Sequence, residues 1–191
     1  MLRCFITILL LLPVATKAQI LYLKDAGHTA VNGQLLYLRD ATNTLTLQQA
    51  QAQKFQPLPD ADKAPNFGFD RTTYWFKLSL SNQSLQPDWI MEVCYSPLDR
   101  IDFYEVDANG AVITHKVSGD IFPIRLRDIP HRHPTFTFSI SSQQQRQIYL
   151  RIQTTSSVQV PLQLWHTNAF LWMSFKVQIL NGLFYGAMLI M

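Results

Sequence analysis

Cysteine is scarce in this chain of 191 residues, which has only two. Cys4 lies in a predicted export signal, so Cys94 is expected to remain alone in a compartment where disulfides can form. An internal disulfide is therefore excluded in the mature chain. Cys94 follows an apolar run, which favours a buried, inert thiol over a reactive one.

An excess of charge of one sign is also missing. The chain has 16 basic and 13 acidic residues, a formal net charge of +3. Arg3 and Lys17 lie in the predicted signal, which leaves 14 basic residues against 13 acidic ones. Such a balance argues against nucleic acid as a partner.

Catalytic motifs are absent from the sequence. It contains no glycine-rich phosphate loop, no Gly-x-Ser-x-Gly elbow and no His-Glu-x-x-His pair. We therefore predict a protein that is not an enzyme and has no cofactor. Asp99 and Asp102 would be the carboxylates of a glycan-cleaving enzyme, the least favoured alternative. A turn aspartate bonded to nearby backbone is the favoured interpretation.

His131 and His133 are the nearest approach to a metal site. Residues two apart on a strand share a face, but zinc takes three or four protein ligands. No third ligand is evident in the sequence. We therefore predict no metal site and interpret the pair as an exposed loop before Pro134.

The two ends of the chain are apolar. Arg3, the apolar run of residues 5–12 and the small residues before position 19 have the layout of a secretory signal peptide, residues 1–18. Residues 179–191 carry no charge but are fewer than the roughly 20 that cross a bilayer. We expect them to be the truncated start of a first transmembrane helix.

The stretch between these ends has the size of one ordinary domain. We assign residues 19–165 to this domain and residues 166–178 to a connector helix. The expected location is the bacterial inner membrane, with the domain in the periplasm.

Short strands separated by turn residues dominate the predicted domain. We predict strands at residues 34–38, 73–80, 89–95, 101–106, 111–117, 135–140, 147–153 and 158–164. The turn Asp107 to Gly110 predicts a hairpin. A short helix is expected at residues 45–54, capped by Thr44 or Thr46.

Alternation in these strands predicts which faces are buried. In residues 74–80 the even positions are apolar, while Trp75, Lys77 and Ser79 point the other way and are expected to face water. Three further strands alternate in the same manner. The prediction is an all-β fold, an antiparallel β-sandwich of jelly-roll-like form.

The polar faces of this sandwich suggest a binding site. Trp75, Tyr149, Arg151 and Gln163 combine aromatic surfaces with hydrogen-bond donors, as a site for a carbohydrate or other small polar ligand requires. The alternative for Trp75 is cover by the predicted loop that contains Pro57, Pro59 and Pro65.

A basic cluster is the second candidate for binding. It consists of Arg125, Arg127 and Arg132 and suits a carboxylate or phosphate, with Arg127 as the predicted site residue. The alternative is pairing with Asp120, Asp128 or backbone carbonyls.

The order of several segments resembles a known family. The segments are Tyr74-Trp75-Phe76-Lys77-Leu78, Tyr95-Ser96-Pro97-Leu98-Asp99-Arg100, Tyr149-Leu150-Arg151-Ile152-Gln153 and Gly182-Leu183-Phe184-Tyr185-Gly186. This order is similar to the type 2 extracellular domain of bacterial seven-transmembrane receptors with diverse intracellular signalling modules, 7TMR-DISM.

The resemblance implies a jelly-roll sandwich, similar to carbohydrate-binding modules, placed in the periplasm before seven helices. At the matching positions, Asp99, Arg127 and Arg151 serve either the fold or a ligand. We therefore expect a ligand-sensing domain that relays to a membrane region and a cytoplasmic output module. The alternative from another class is a module for protein interaction or dimerisation, with a homodimer as its simplest form.

Overall fold

The computed structural model describes residues 19–31 and 33–190. The predicted export signal, residues 1–18, lies outside the described residues, as does Met191. In chain order the strands of the described part are β1 (Ile20–Leu23), β2 (His28–Val31), β3 (Leu36–Asp40), β4 (Gln56–Pro57), β5 (Asn66–Phe69), β6 (Thr73–Asn82), β7 (Asp88–Val93), β8 (Arg100–Val106), β9 (Val112–Ser118), β10 (Thr135–Ser139), β11 (Gln145–Gln153), β12 (Ser157–Gln159) and β13 (Leu162–His166). The helices are α1 (Leu47–Gln51), a short 3-10 helix (Ile124–Leu126) and α2 (Thr167–Ile190).

Two sheets form the domain. The larger has the order β4-β3-β6-β11-β8-β9 and the smaller the order β10-β7-β13-β2, with antiparallel neighbours in both. β1 joins the larger sheet as a parallel partner of the second half of β6. β5 and β12 pair separately. The predicted antiparallel β-sandwich is confirmed, with β1 as the parallel exception among the described strands.

Alternation places the apolar side chains of both sheets between them. On β6, Tyr74, Phe76 and Leu78 are buried in the main core. Phe103 of β8 and Phe136 of β10 stack across the two sheets, with 5.0 Å between ring centroids and 10° between planes. Burial of each such side chain contributes roughly 1.5–3 kcal/mol to folding. Face-to-face packing of apolar sides therefore holds the sandwich together.

The predicted hairpin is confirmed as β8 and β9. Asp107 donates its N–H to the carbonyl of Ala111, and its carboxylate accepts the N–H groups of Asn109 and Ala111. Gly110 has a φ of +87°, a conformation that glycine adopts without a steric penalty. The turn residues therefore close this hairpin as their types predict.

The prediction of one strand over residues 158–164 was wrong. The chain makes two short strands there, β12 and β13, which belong to different sheets. Between them, the N–H of Val160 bonds to the carbonyl of Pro65, and the carbonyl of Pro161 accepts the N–H of Cys94. Pro161 has no N–H to donate to a ladder, so continuous pairing ends at this residue.

The predicted short helix is present as α1 but is shorter than expected. Its cap is Thr46, one of the two predicted caps. The Thr46 hydroxyl accepts the N–H of Gln49, whose side chain accepts the N–H of Thr46, which is a capping box. Leu47 and Ala50 are the buried residues of this helix. Their side chains pack against the outer face of the larger sheet.

The prediction that Trp75 faces water was wrong, whereas Lys77 and Ser79 on the same face of β6 are half-buried. Trp75 is fully buried in a second apolar cluster with Leu47 and Ala50 of α1 and Tyr149 of β11. Alternation correctly put Trp75 on the face away from the main core. A period-two pattern cannot show that a helix distant along the chain covers that face.

Candidate functional site

Three of the six predicted site residues lie together. Trp75, Tyr149 and Arg151 share the outer face of the larger sheet, where Arg151 is the register partner of Trp75. Trp75 is 0% exposed and Tyr149 2% exposed, because α1 and Phe55 pack over them. Burial raises the pKa of Tyr149 to about 12. Of the three, only Arg151 offers part of its side chain to solvent.

Arg151 belongs to a charged network centred on Asp102. The buried Asp102 carboxylate accepts two hydrogen bonds from Arg100, at 2.8 and 2.9 Å. It also lies 3.4 Å from Nη1 of Arg151 and 3.2 Å from Nε2 of His115. Burial by itself raises the pKa of Asp102, but the hydrogen bonds and charge of Arg100, with His115 and Arg151, bring it below its usual range.

Two other predicted residues hold loops. Asp99 accepts the N–H of Thr155 at 2.7 Å and its hydroxyl at 2.9 Å. Arg127 donates to the carbonyls of His131, Arg132 and Gly119, at 2.6, 3.2 and 3.4 Å. Pairing with backbone carbonyls was the structural alternative for Arg127, and the structure has those bonds.

Gln163, the sixth predicted residue, lies on the smaller sheet as the register partner of Glu92. The six residues therefore occupy separate places rather than one site. Their roles toward a ligand stay predictions.

A cleft of about 520 Å³ opens between β9 and β10, the adjacent edges of the two sheets. We call it the edge cleft. Glu105, Lys116 and Arg146 line it from three neighbouring strands, β8, β9 and β11. On β8, Glu105 follows the buried Ile101 and Phe103 in the same alternation. The signal missed in the sequence is a charged residue at the end of an inward-facing apolar row.

Burial and ion pairing control the charges of the edge cleft. Glu105 is 3% exposed, and Nε of Arg146 lies 3.4 Å from its Oε1. Burial raises the pKa of Glu105, although Arg146 acts in the opposite direction. Lys116 is held by Asp128 at 2.5 Å and by the carbonyl and hydroxyl of Thr137 at 2.6 and 2.8 Å. The cleft thus contains the paired Glu105 and Arg146 and the held Lys116, together with the exposed carboxylate of Asp88.

Trp89 and Phe138 provide the apolar part of the edge cleft. The Trp89 indole N–H is buried and has no acceptor among residues 19–31 and 33–190. An unpaired buried donor costs free energy. Trp89 and Phe138 are 1% and 7% exposed, so the groups that the cleft offers to a polar ligand are mainly its charged side chains.

The edge cleft touches the base of α2. Thr167, the first residue of α2, lines the cleft and donates its hydroxyl to the carbonyl of Asp88 at 3.4 Å. His166, the last residue of β13, packs against Trp89 with 3.9 Å between ring centroids. No loop separates β13 from α2. A shift at the cleft therefore has a short path to the helix.

The outer face of the smaller sheet holds a second polar cluster. His131 and His133 meet Glu92 of β7, and one ligand atom from each lies within 4.8 Å of the others. Glu92 is buried, and the two histidines are half-buried rather than exposed. Glu92 is a third potential metal ligand. The sequence did not reveal it, because it lies about 40 residues from the histidines along the chain.

Among the described residues, the candidate for a membrane-spanning segment is the last helix, α2. By length and composition, α2 is able to cross a membrane. Phe170 is its buried residue. The predicted connector and the predicted start of the membrane segment form this one continuous helix.

Comparison with known proteins identifies one family. A family model described as 7TMR-DISM extracellular 2 matches residues 32–166, more than half of the chain. No curated protein matches the chain.

Among solved structures, similarity is low. A Bacteroides fragilis protein described as a beta-galactosidase has 10% identity and a TM-score of 0.41, over 72% of this chain and 22% of that one. A β-glucuronidase of Ruminococcus gnavus in complex with N1-substituted uronic isofagomine has 8% identity and a TM-score of 0.39, over 76% and 30%. In complex with D-glucaro 1,5-lactone, it has 9% identity and a TM-score of 0.39, over 77% and 31%. The chain spans less than a third of the length of these proteins, and TM-scores this low carry no conclusion.

Proposed function

The chain belongs to the 7TMR-DISM extracellular 2 family, and from this premise we propose that its β-sandwich senses a small polar ligand in the edge cleft. The family places the domain outside the cytoplasm, as the extracellular sensor of a membrane receptor. A receptor domain binds and relays rather than converts its ligand. The observation that carries the proposal is the contact between the edge cleft and Thr167, the first residue of α2.

The surface of α2 supports a membrane anchor. Its large apolar side chains are exposed along most of its length, from Leu171 to Ile190. Lys176 lies over the ring of Trp172, with 5.4 Å from Nζ to the ring centroid. Tryptophan and basic residues are typical of the membrane interface. We place the interface near this pair, with the predicted membrane segment following from residue 179.

The ligand class follows from the groups in the edge cleft. Glu105 is an acceptor when ionised and Arg146 is a donor, while the three N–H groups of Lys116 already meet Asp128 and Thr137. Ile113, which is 50% exposed, adds apolar surface on which the apolar face of a sugar ring packs. We propose a carbohydrate or a similarly sized polar molecule, with a uronic acid or amino sugar as suitable charged forms.

Signalling requires the ligand to favour one arrangement of the domain. The edge cleft is bounded by strands of both sheets, so a bound molecule contacts both. Such contacts favour a particular separation of β9 and β10. A ligand shifts the equilibrium only by its difference in affinity for the two arrangements. Thr167 would pass the change to α2 through its bond to Asp88.

The test uses the 191-residue chain in detergent micelles. Melting temperature would be measured with neutral hexoses, hexuronic acids, amino sugars, cell-wall fragments and dicarboxylates, since a ligand of the folded state raises it. Calorimetry on any compound that raises it gives the dissociation constant. Absence of a shift with every compound in a folded sample would remove the small-ligand proposal.

Two matched variants on the same strand locate the site. Arg146→Gln changes the edge cleft, and Arg151→Gln changes the outer face predicted from sequence. We expect the first to weaken binding by about 10–100-fold, the effect of losing a charged hydrogen bond, and the second to leave it unchanged. The reverse result would move the ligand to the outer face.

A second candidate function is self-association. Ile121, Ile124 and Leu126 lie close together in the segment after β9 and are 52–64% exposed. Exposed apolar groups at this spacing suit a protein partner, and a second copy of the chain is the simplest. Light scattering of the chain and of Leu126→Ser over a range of concentrations tests this. A monomer at all concentrations would exclude it.

A further inference from the structure

We propose that Glu92, His131 and His133 bind a divalent first-row transition cation, Zn²⁺ above all, on the outer face of the smaller sheet. This inference is independent of the edge cleft. None of the three residues lines that cleft, and the cation would be a second input to the same helix.

The three donor atoms already converge. Nδ1 of His133 lies 2.6 Å from Oε1 of Glu92, and Nδ1 of His131 lies 3.8 Å from the same oxygen. Zinc bonds of about 2.0–2.2 Å to N and O donors need donors a little over 3 Å apart in a tetrahedral arrangement. Small side-chain rotations would thus lengthen the distance between His133 and Glu92 and shorten the distance between His131 and Glu92. The cation would replace the hydrogen bond between His133 and Glu92, and also the bond of 3.3 Å in which Nδ1 of His131 accepts the backbone N–H of His133.

The donor types decide which cation fits. Two imidazoles and one carboxylate suit zinc and its neighbours in the first row, whereas Mg²⁺ and Ca²⁺ prefer oxygen ligands alone. Three protein ligands leave a fourth position for water or an exogenous group. The three donors that converge within 4.8 Å of one another are Glu92, His131 and His133.

The surroundings hold the ligands in orientation. Oε2 of Glu92, the oxygen that would not be shared with the histidines, accepts the indole N–H of Trp165 at 2.9 Å. Glu92 itself is buried on β7 between β10 and β13. Hydrogen bonds of this kind to a ligating carboxylate strengthen metal sites and fix their geometry.

The cluster contacts the first turn of α2. The ring of His131 packs edge-on against the ring of Phe170, with 5.0 Å between centroids. Trp165 also packs against the Phe170 ring, with 6.1 Å between centroids. Phe170 is the buried residue of α2. A cation that fixes the His131 ring would therefore fix the position of the Phe170 ring and the direction in which α2 leaves the domain.

Binding would be measured with ZnCl₂ alone, by competition against a chromophoric chelator, on the tag-free 191-residue chain in micelles. We expect one equivalent to bind. Glu92→Gln and His133→Gln should weaken binding by at least about 10–100-fold. His115→Gln, at a histidine outside the cluster, is the matched control and should leave affinity unchanged. No binding, or equal affinity in Glu92→Gln, would overturn the proposal.

A readout on the unaltered chain covers the case in which a variant does not fold. Co²⁺ in place of Zn²⁺ should give the absorption spectrum of a four-coordinate site, and X-ray absorption should count two imidazole ligands. A six-coordinate spectrum with water ligands only would mean surface binding and would overturn the site.

Hydrogen exchange tests the link to the helix. Zn²⁺ should slow exchange of amides near Trp165 and Phe170, and Phe170→Ala should keep zinc affinity but lose this slowing. Equal exchange with and without Zn²⁺ in a chain that binds it would remove the coupling. Glu105→Gln should not alter zinc affinity, so failure of the edge cleft proposal would be seen separately.

Discussion

Trp165, which lies two residues before α2 begins, donates its indole N–H to Glu92. The two residues are 73 positions apart along the chain. His166, the next residue, points to the opposite face of the smaller sheet and packs on Trp89 in the edge cleft. The last two residues of β13 thus contact the two candidate sites on opposite faces. Alternation on a strand brings both inputs to the same point, the base of α2.

Trp75→Ala should lower the free energy of unfolding by about 3–5 kcal/mol, the usual cost of removing a fully buried tryptophan side chain. The reason is its burial between β6 and α1. Chemical denaturation of the chain in micelles, followed by near-ultraviolet circular dichroism, measures this. The ligand role predicted for Trp75 would instead leave stability intact and weaken ligand binding.

Asp102→Asn should cost about 3 kcal/mol, because it leaves the charges of Arg100 and Arg151 without their carboxylate. The pKa of Asp102 is lower in the folded state than in the unfolded one. Its contribution is therefore fully present above about pH 4, the unfolded pKa, and is lost as pH falls through the folded pKa. Stability measured from pH 2 to 7 should depend less on pH in the variant. Parallel curves for both proteins would contradict the network.

Glu105→Gln should be neutral or stabilising at pH 7. Burial raises the pKa of Glu105, so the folded state holds the proton more tightly than the unfolded state. Between the usual pKa of about 4.3 and the raised one, stability of the natural chain falls as pH rises. Melting temperature against pH should lose this fall in the variant. A large loss of stability at pH 7 would mean that the ion pair with Arg146 outweighs burial.

Gly119→Ala should destabilise the domain by roughly 2–4 kcal/mol. Gly119 has a φ of +140°, and a Cβ on it would overlap the backbone carbonyl of Asp99. Gly110→Ala is the matched control, since Gly110 has a φ of +87° but open space around it. Its cost should be about 1 kcal/mol, from conformation alone. Equal costs would show that the backbone near Asp99 moves to make room.

Cysteine labelling tests where α2 enters the membrane. In a Cys4→Ser, Cys94→Ser background, Asn168→Cys should react with a membrane-impermeant maleimide, and Ala187→Cys should not. The reason is the uncharged sequence after residue 179 and the interface pair Trp172 and Lys176. Equal labelling at both positions in intact vesicles would mean that this part of α2 lies outside the bilayer.

Local pattern was enough for most strands and for the hairpin, since period two and turn residues act within a few positions, but it did not predict β1, β2, β4 and β5. It failed at Pro161, where two sheets share one apolar run. It also failed at Trp75, because α1 ends 24 residues before this tryptophan and nothing in the strand shows what covers it. Charges at inward-facing positions, such as Glu105 and Arg146, were a visible signal of the edge cleft.

The sequence alone determined the class of this protein. Alternating strands produce a sandwich because apolar faces leave water, and the order of its segments is enough to identify the family. Only the tertiary structure decided which polar residues meet. Glu92 reaches His131 and His133, and β9 comes beside β10, through packing of segments distant in the chain. Such meetings follow from how the sheets close on each other, and no local spacing contains that information.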